Sequence, residues 1–437
     1  MRGLVKVGVC GLGTVASGVV NIFADNGGLL GQRSGTDVRL THIGARRDNP
    51  LCDVSALSVS RDVFDIARDP EVDVLVELIG GTTVAKDLVE TALSHGKHVV
   101  TANKALIAEH GNALFALAES KGLALRFEAA VAGGIPIIKA LREGLAANRI
   151  SALAGIINGT GNFILTEMAA AGRSFEDVLA EAQALGYAEA DPTFDIDGTD
   201  AAHKLVILAS IAFGVPLAID APFKEGIDLV SAKDLDYAAE LGYRIKHLGI
   251  ARLVGDRIDL RVHPTLIPVG KLIATVDGVL NAIMVQGDAV GELLLIGPGA
   301  GGAPTASAVC ADIVDLAREL GADQHCVIPP LGVPASNLID RELVPKDAVE
   351  SAWYLRLMVD DKPGVMADIT RLLGAEGISI ESLIQKPPRS AEVEVPVVIL
   401  TDRATGYAIE QAASNIAALP AVRSDLAKLR VENFQGS

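Results

Sequence analysis

Residues 186–205 read GYAEADPTFDIDGTDAAHKL. Glu189, Asp191, Asp195, Asp197 and Asp200 crowd a short segment broken by proline and glycine, and Lys204 stands at the mouth of an apolar run, LVILASIAFGVPLAI. Asp200 and Lys204 are four apart, so a helix beginning near Gly198 puts them on one face, with Asp197-x-x-Asp200 as a capping-box-like start. As scaffolding this is a cap and an ion pair, worth roughly a few tenths of a kcal/mol. As chemistry it is more. A lysine entering an apolar face is partly desolvated, which favours its neutral form and suits it to proton transfer. The loop carboxylates Glu189, Asp191 and Asp195 suit the ammonium group of a small-molecule substrate. A second lysine, Lys104 in VVTANKALIA, follows a strand at the carboxyl end of a parallel sheet, where such folds bind ligands. A cation in the first turn of a helix is mildly unfavourable, so its position there asks for another reason.

The N-terminal stretch VGVCGLGTVASG carries Gly11-x-Gly13-x-x-Ala16, the G-x-G-x-x-G/A form of the dinucleotide fingerprint. Gly11 permits a tight turn, Gly13 lets the backbone approach a diphosphate, and Ala16 allows close packing of helix on strand. The segment Gly11, Leu12, Gly13, Thr14 and Val15 then offers backbone amides and the positive end of a helix to the phosphates. At the end of the second strand a protein preferring NAD places an acidic residue on the ribose hydroxyls. Here the sequence is HIGARRD, with Arg46 and Arg47 in that region. Guanidinium suits the 2′-phosphate of NADP, so NADP preference is expected. Two solvated surface arginines are the plainer alternative.

These groups need elements to position them. LVKVGV, VRLTHIG, VDVLVELIG, KHVVTA and LALRFEAA read as short buried strands alternating with helices, an α/β pattern that predicts a Rossmann-like, doubly wound parallel sheet over residues 1–130. Residues 131–299 read as an α+β domain with a mixed sheet, including a hairpin at GDRID. The glycine loop and helix of GPGAGGAPTASAVCADIVDLAREL are expected to return over 300–325 to the first domain. The proline-rich segment 326–350 reads as a linker. Residues 351–437 show βαββαβ, the ferredoxin-like pattern, and are expected to stand as a separate domain.

Bulk composition narrows the classes. The 437 residues call for two or three domains. Half are hydrophobic and 4% aromatic, which favours an α/β chain over a β-sandwich. A formal net charge of −17 repels phosphate backbones and anionic lipid, so neither nucleic acid nor a membrane surface is an expected partner. Cys10, Cys52, Cys310 and Cys326 are scattered without CxxC, a reduced, cytoplasmic usage with no zinc signature. Lys6 interrupts the apolar N-terminal stretch, which argues against a secretory leader. The run at 205–219 contains Gly214 and Pro216 and is shorter than the ~20 residues a membrane span needs.

GLGTVASG, TANKALIA, FEAAVAGGIPII, INGTGNFIL, GYAEADPTFDIDGTDAAHKL and GPGAGGAPTASAV together resemble the homoserine dehydrogenase family, essentially over the whole chain. The resemblance implies reversible NAD(P)H-dependent reduction of L-aspartate 4-semialdehyde to L-homoserine in threonine, methionine and isoleucine biosynthesis. It implies that Lys204 handles the proton with help from Lys104, and that Glu189 and Asp200 hold the substrate. Thr160, Tyr187 and Asp195 occupy matching substrate positions, and Gly186 and Gly302 lie near the nicotinamide. It also implies a monovalent cation, usually sodium, held by Glu128 and the backbone carbonyls of Val131, Gly133 and Ile135. The last ~85 residues resemble an ACT domain. Its turn, DDKPGVMADI, implies threonine as a feedback effector and assembly into a homodimer or homotetramer. A dehydrogenase acting on the same semialdehyde through a thiolate is disfavoured, because Cys310 and Cys326 lack a matching His motif. A non-enzymatic NADP-dependent amino-acid sensor would not need Lys104 and Lys204.

Overall fold

The computed structural model describes residues 3–322, 328–386, 394–424 and 426–434. Cys326 and the first residues of the 326–350 segment lie outside them. In chain order the first elements are strand β1 (Leu4–Cys10), helix α1 (Thr14–Ser34), β2 (Asp37–Gly44), β3 (Ser58–Ser60), α2 (Val63–Arg68), β4 (Val74–Glu77), α3 (Thr83–Ser94), β5 (His98–Thr101), α4 (Lys104–Ser120) and β6 (Leu125–Arg126). Next come α5 (Ile137–Lys139), β7 (Ile150–Ile156), α6 (Gly159–Ala171), α7 (Phe175–Ala184), α8 (Thr193–Ile196), α9 (Thr199–Phe213), β8 (Phe223–Lys224) and α10 (Ala232–Glu240). Then follow β9 (Tyr243–Val254), β10 (Arg257–Pro268), β11 (Leu280–Gly287), β12 (Gly291–Pro298) and α11 (Gly302–Gly321). The chain closes with β13 (Glu350–Asp360), α12 (Val365–Ala375), β14 (Ile380–Gln385), β15 (Glu394–Thr401), β16 (Ala404–Thr405), α13 (Gly406–Ala417) and β17 (Ala427–Val431).

These elements form two compact units, one of residues 1–159, 200–222 and 280–341, the other of 160–199, 223–279 and 342–437. The division cuts across the boundaries read from the sequence, because the chain crosses between units several times. In the first unit a six-stranded parallel sheet has the order β3-β2-β1-β4-β5-β6. The order reverses on either side of β1, which leaves a crevice at the carboxyl ends of the strands. Val5, Val7, Val9, Val74 and Val76 are fully buried, as a parallel sheet covered on both faces requires. Helix α1 contributes Ala16 and Val19 to this core, and α11 contributes Ala306, Val309 and Ile313. A separate antiparallel ribbon, β7-β11-β12, completes the unit's strands.

In the second unit β9 and β10 form the hairpin expected at GDRID. Helices α6 and α7 pack Ile164, Val178 and Ala182 into a core with Ile245, Leu266 and Tyr354. Helices α12 and α13 cover β13 and β15 through Ile369, Leu373, Ile409 and Ile416. Strand β17 pairs antiparallel with β13 and parallel with β10, so the C-terminal βαββαβ sheet runs on into the hairpin rather than standing apart. Buried charges fasten this join. Arg261 donates to Glu432 (2.7 Å) and Ser351 (3.0 Å), and the Arg430 guanidinium lies 4.5 Å from the Trp353 ring centre. Among the described residues no helix is long and apolar enough to cross a membrane.

Candidate active site

The first part of the site grows from the β1–α1 turn. Gly11 has φ +99°, and a side chain there would meet the carbonyl oxygen of Leu78 at 2.5 Å. Only glycine fits both demands. A β-carbon on Gly13 would touch nothing within 4 Å, so the backbone there is open to a ligand. Thr14 and Val15 form the first turn of α1. Gly302 begins α11 beside it, since a β-carbon at Gly302 would lie 2.9 Å from Thr14 Cγ2. Gly18 lets the two helices approach, because a β-carbon there would meet the carbonyl oxygen of Gly302 at 2.9 Å. Two long helices therefore present their positive ends side by side.

A cavity of about 790 Å³ is bordered by Gly11, Leu12, Gly13, Arg46, Arg47 and Arg61. Arg46 and Arg47 are exposed and free to reach a ligand. Their loop is fixed from below: Arg61 donates to the carbonyl oxygen of Ala45 (3.2 Å) and to Asp48 (2.9 Å), and Asn49 Nδ2 donates to the carbonyl oxygen of Leu12 (2.9 Å). Sequence reasoning missed Arg61, which lies outside the second-strand region that reveals Arg46 and Arg47.

The second part brings three chemistry-bearing residues together. Lys104 opens α4, whose cap is Asn103, with Oδ1 accepting from Leu106 N at 3.1 Å. Asp200 and Lys204 lie one turn apart on α9. Lys204 Nζ donates to Asp200 Oδ2 (2.7 Å) and to the carbonyl oxygen of Ile157 (2.8 Å). Lys104 Nζ donates to Asp200 Oδ1, and Asn158 Nδ2 donates to Oδ2 at 2.9 Å. Burial by itself would push the Asp200 carboxyl up, but Lys204 and then Lys104 outweigh it and hold the group well below the usual carboxylate range. An ionised carboxylate thus ties both lysine side chains into one hydrogen-bonded cluster. The cap-like pattern seen in the sequence is half right. Asp200 spends its carboxylate on the lysines instead of reaching back to the helix start. Asn158 gave no signal beyond its place in INGTGN.

Thr160, Gly186, Tyr187, Glu189 and Asp195 belong to the second unit. Thr160 Oγ1 donates to the carbonyl oxygen of Tyr187 (2.6 Å), and the Tyr187 ring meets Phe163 edge-on with centres 5.1 Å apart. Gly186 takes φ +76° at the end of α7, and Gln183 Nε2 donates to the carbonyl oxygen of Glu189 at 3.1 Å. The Glu189 side chain is exposed and Asp195 is half-buried. Asp191 accepts from Thr193 N (3.1 Å) and Oγ1 (2.6 Å). Asp197 accepts from Thr199 N (2.8 Å) and Oγ1 (2.7 Å) and pairs with Lys224 at 3.1 Å. Asp191 and Asp197 are therefore turn-builders, which takes Asp191 out of the loop carboxylates expected to suit an ammonium group.

The third part is the FEAAVAGGIP segment of the first unit. Ala132 (φ +58°) and Gly133 (φ +51°) turn the chain sharply, and a β-carbon on Gly133 would lie 2.6 Å from the carbonyl oxygen of Gly299. Glu128 Oε1 accepts from Ile138 N (2.9 Å) and Oε2 from Lys139 N (2.7 Å), while Ile137 N donates to the Ile135 carbonyl oxygen at 2.8 Å. Burial, with the nearby Asp312 charge, pushes Glu128 up to about 7. Each of these oxygens keeps a further lone pair. An all-oxygen set with a buried acid fits a hard monovalent cation. Among the described residues no cluster of three or more His, Cys, Asp or Glu could hold a metal ion. Cys310 is buried and its thiol is pushed up to about 12, unsuited to nucleophilic attack.

A crossover sheet with an open glycine turn at a helix start and a lysine–carboxylate–lysine cluster fits the class of nicotinamide-dependent oxidoreductases. Comparison with known proteins narrows this. The family descriptions "Homoserine dehydrogenase, NAD binding domain", "Homoserine dehydrogenase" and "ACT domain" match residues 11–128, 136–314 and 353–417. Homoserine dehydrogenase of Pseudomonas aeruginosa is 55% identical over 98% of this chain and 99% of its own. The crystal structure of a homoserine dehydrogenase from Thiobacillus denitrificans is similar at a TM-score of 0.93, with 50% identity, over 99% of this chain and 100% of that one. A hyperthermophilic archaeal homoserine dehydrogenase in complex with NADPH matches 71% of this chain and 97% of its own, with 28% identity and a TM-score of 0.60. The chain belongs to the homoserine dehydrogenase family and carries a C-terminal ACT domain.

Proposed function

We propose that the enzyme reversibly reduces L-aspartate 4-semialdehyde to L-homoserine, with Lys204 as the proton donor in the reductive direction. The observation that carries this reading is the Lys104–Asp200–Lys204 cluster. Asp200 stays ionised and holds the Lys204 ammonium at a fixed place, ready to neutralise a developing alkoxide. Lys104 adds a second positive charge beside the same carboxylate. Glu189, Thr160, Tyr187 and Asp195 take the substrate's amino-acid end, Glu189 meeting its ammonium group. Gly11 to Val15 hold the cofactor's diphosphate, and Gly186 and Gly302 lie along its nicotinamide. The bound nicotinamide supplies the hydride for the aldehyde carbon.

Arg46 and Arg47 at the cavity rim support preference for NADP. Glu128 and the carbonyls of Val131, Gly133 and Ile135 would hold a monovalent cation, in keeping with their all-oxygen chemistry. In the ACT turn Asp360 is gripped by Arg423 Nε and Nη2, each at 2.6 Å, and by Lys362 at 2.8 Å, a fixed frame suited to an amino-acid effector, which we take to be threonine. A cytoplasmic homo-oligomer serving amino-acid biosynthesis completes the reading. The test is to follow NADPH absorbance with aspartate semialdehyde in phosphate-free buffer. Turnover that is faster than with NADH, and reduced by threonine, is expected. No turnover without phosphate contradicts the reaction.

A further inference from the structure

Glu77 ends β4, lies directly across from Thr101 of β5 in the parallel register, and both residues are fully buried. The reaction as described does not use this carboxylate. One of its oxygens, Oε1, accepts from the backbone amides of Ile79 (2.8 Å) and Gly80 (3.2 Å). Gly80 (φ +73°) and Gly81 (φ +71°) are left-handed, so the turn they form is held by hydrogen bonds rather than by backbone preference. Leu78, Ile79 and Gly80 border the cofactor cavity, and Leu78 is the residue against which Gly11 packs.

The other oxygen, Oε2, accepts from Thr101 Oγ1 at 2.6 Å. A carboxylate only accepts, so the hydroxyl proton points at Glu77 and the lone pairs of Oγ1 face away. Asn103 N donates to that hydroxyl at 3.0 Å. Asn103 in turn caps α4 through Oδ1 and returns to the turn through Nδ2, which donates to the carbonyl oxygen of Gly81 at 2.7 Å. The loop closes on itself: Glu77, turn 79–81, Asn103 and Thr101. Lys104 is the next residue in the chain. All of it lies within the first compact unit.

We propose that Glu77 is a positioning residue for the reaction, fixing the cofactor-facing turn with one oxygen and, through Thr101 and Asn103, the start of the helix that carries Lys104 with the other. The inference rests on the reading above that the cavity takes the cofactor and that Lys104 serves the chemistry. It explains why an acid is buried at a strand end where a small apolar residue would pack more cheaply. It also makes the two halves of the site mechanically one. A displacement of about 1 Å in a reacting group can cost around a hundredfold in rate.

The experiment uses the full-length enzyme and four variants, with kcat at saturating substrates and cofactor Kd by nicotinamide fluorescence. Thr101→Val cuts the arm toward Lys104 and leaves the arm to the turn. Thr101→Ser keeps the hydroxyl. Glu77→Gln keeps the shape but replaces charge-assisted bonds with neutral ones at both ends. Lys104→Met reports on the underlying reading. The expected result is a kcat loss of roughly tenfold or more in Thr101→Val with cofactor Kd within about twofold, and rescue in Thr101→Ser. Glu77→Gln should lower kcat and also weaken cofactor binding. Wild-type kcat in Thr101→Val, while Lys104→Met is impaired, overturns the positioning role alone. Failure of Thr101→Ser to restore kcat overturns it as well. Wild-type kcat in Lys104→Met overturns the reading of Lys104 and the positioning role with it.

Discussion

Asp200 and Glu128 are both buried carboxylates in the first compact unit, yet their surroundings drive them in opposite directions. Burial works against the charge of each. At Asp200 the charges of Lys204 and Lys104 more than offset it, and Asn158 adds a hydrogen bond. At Glu128 two backbone amides are the hydrogen-bond donors, Asp312 adds a like charge, and Arg142 offsets only part, leaving the acid at about 7. The difference teaches how to read a buried acid. Asp200 is complete as it stands: its counter-charges belong to the protein, and in the proposed reaction they also serve the chemistry. Glu128 has its amide partners but lacks a counter-charge of equal weight, and a bound cation would supply one.

The largest effect should come from Asp200→Asn. Removing the anion leaves Lys104 and Lys204 side by side without the charge that holds them, and kcat should fall roughly 10²–10⁴-fold. Steady-state kinetics beside cofactor titration checks this, and a kcat near wild type would break the comparison at its first limb.

The next effect is on stability. Glu128 is raised in the fold from its ordinary 4.5 to about 7, so its contribution is full below 4.5 and is lost as pH rises through about 7. The difference is worth about 3 kcal/mol. Asp200 has the opposite sign: its contribution is present above the ordinary 3.8 and is lost only as pH falls through its lowered value. Sodium at Glu128 favours the ionised form, so it should raise Tm by several degrees near about pH 8 and by much less near about pH 5. Thermal melts in sodium against tetramethylammonium salts, on wild type and Glu128→Gln, measure this. A sodium effect that survives in Glu128→Gln removes the cation from that site.

The smallest effect sharpens the contrast with an anion that only builds a turn. Asp197→Ala removes the acceptor for Thr199 N and the Lys224 ion pair. It should cost about 1 kcal/mol of stability with kcat changed only a few-fold. A loss on the scale of Asp200→Asn would place Asp197 among the residues that serve the chemistry.

Much of this was legible in the sequence because it is local. Gly11, Gly13 and Ala16 announce a tight strand-to-helix turn by spacing alone, and Asp200 and Lys204 announce a shared helical face. The strand and helix pattern carried the crossover sheet for the same reason. What was not legible is non-local. Asn158 reaches Asp200 on α9 from just past the end of β7. Glu77 matters only because β4 and β5 are neighbours. Arg61 joins the cavity because Ala45 pairs with Ser60 (2.9 Å). The insertion of β17 beside β10 leaves no trace in either segment, since both read as ordinary strands. Asp191 was grouped with Glu189 and Asp195 as suited to an ammonium group because carboxylate spacing in a loop does not distinguish a pocket from an Asx turn.

The most direct measurement is kcat of Lys204→Ala in the full-length enzyme, with cofactor Kd measured on the same preparation. If Lys204 carries the proton, kcat falls by roughly 10²–10⁴-fold while cofactor Kd stays within about twofold. A wild-type kcat would contradict the role of Lys204 and, with it, the reading of the cluster as the centre of the reaction.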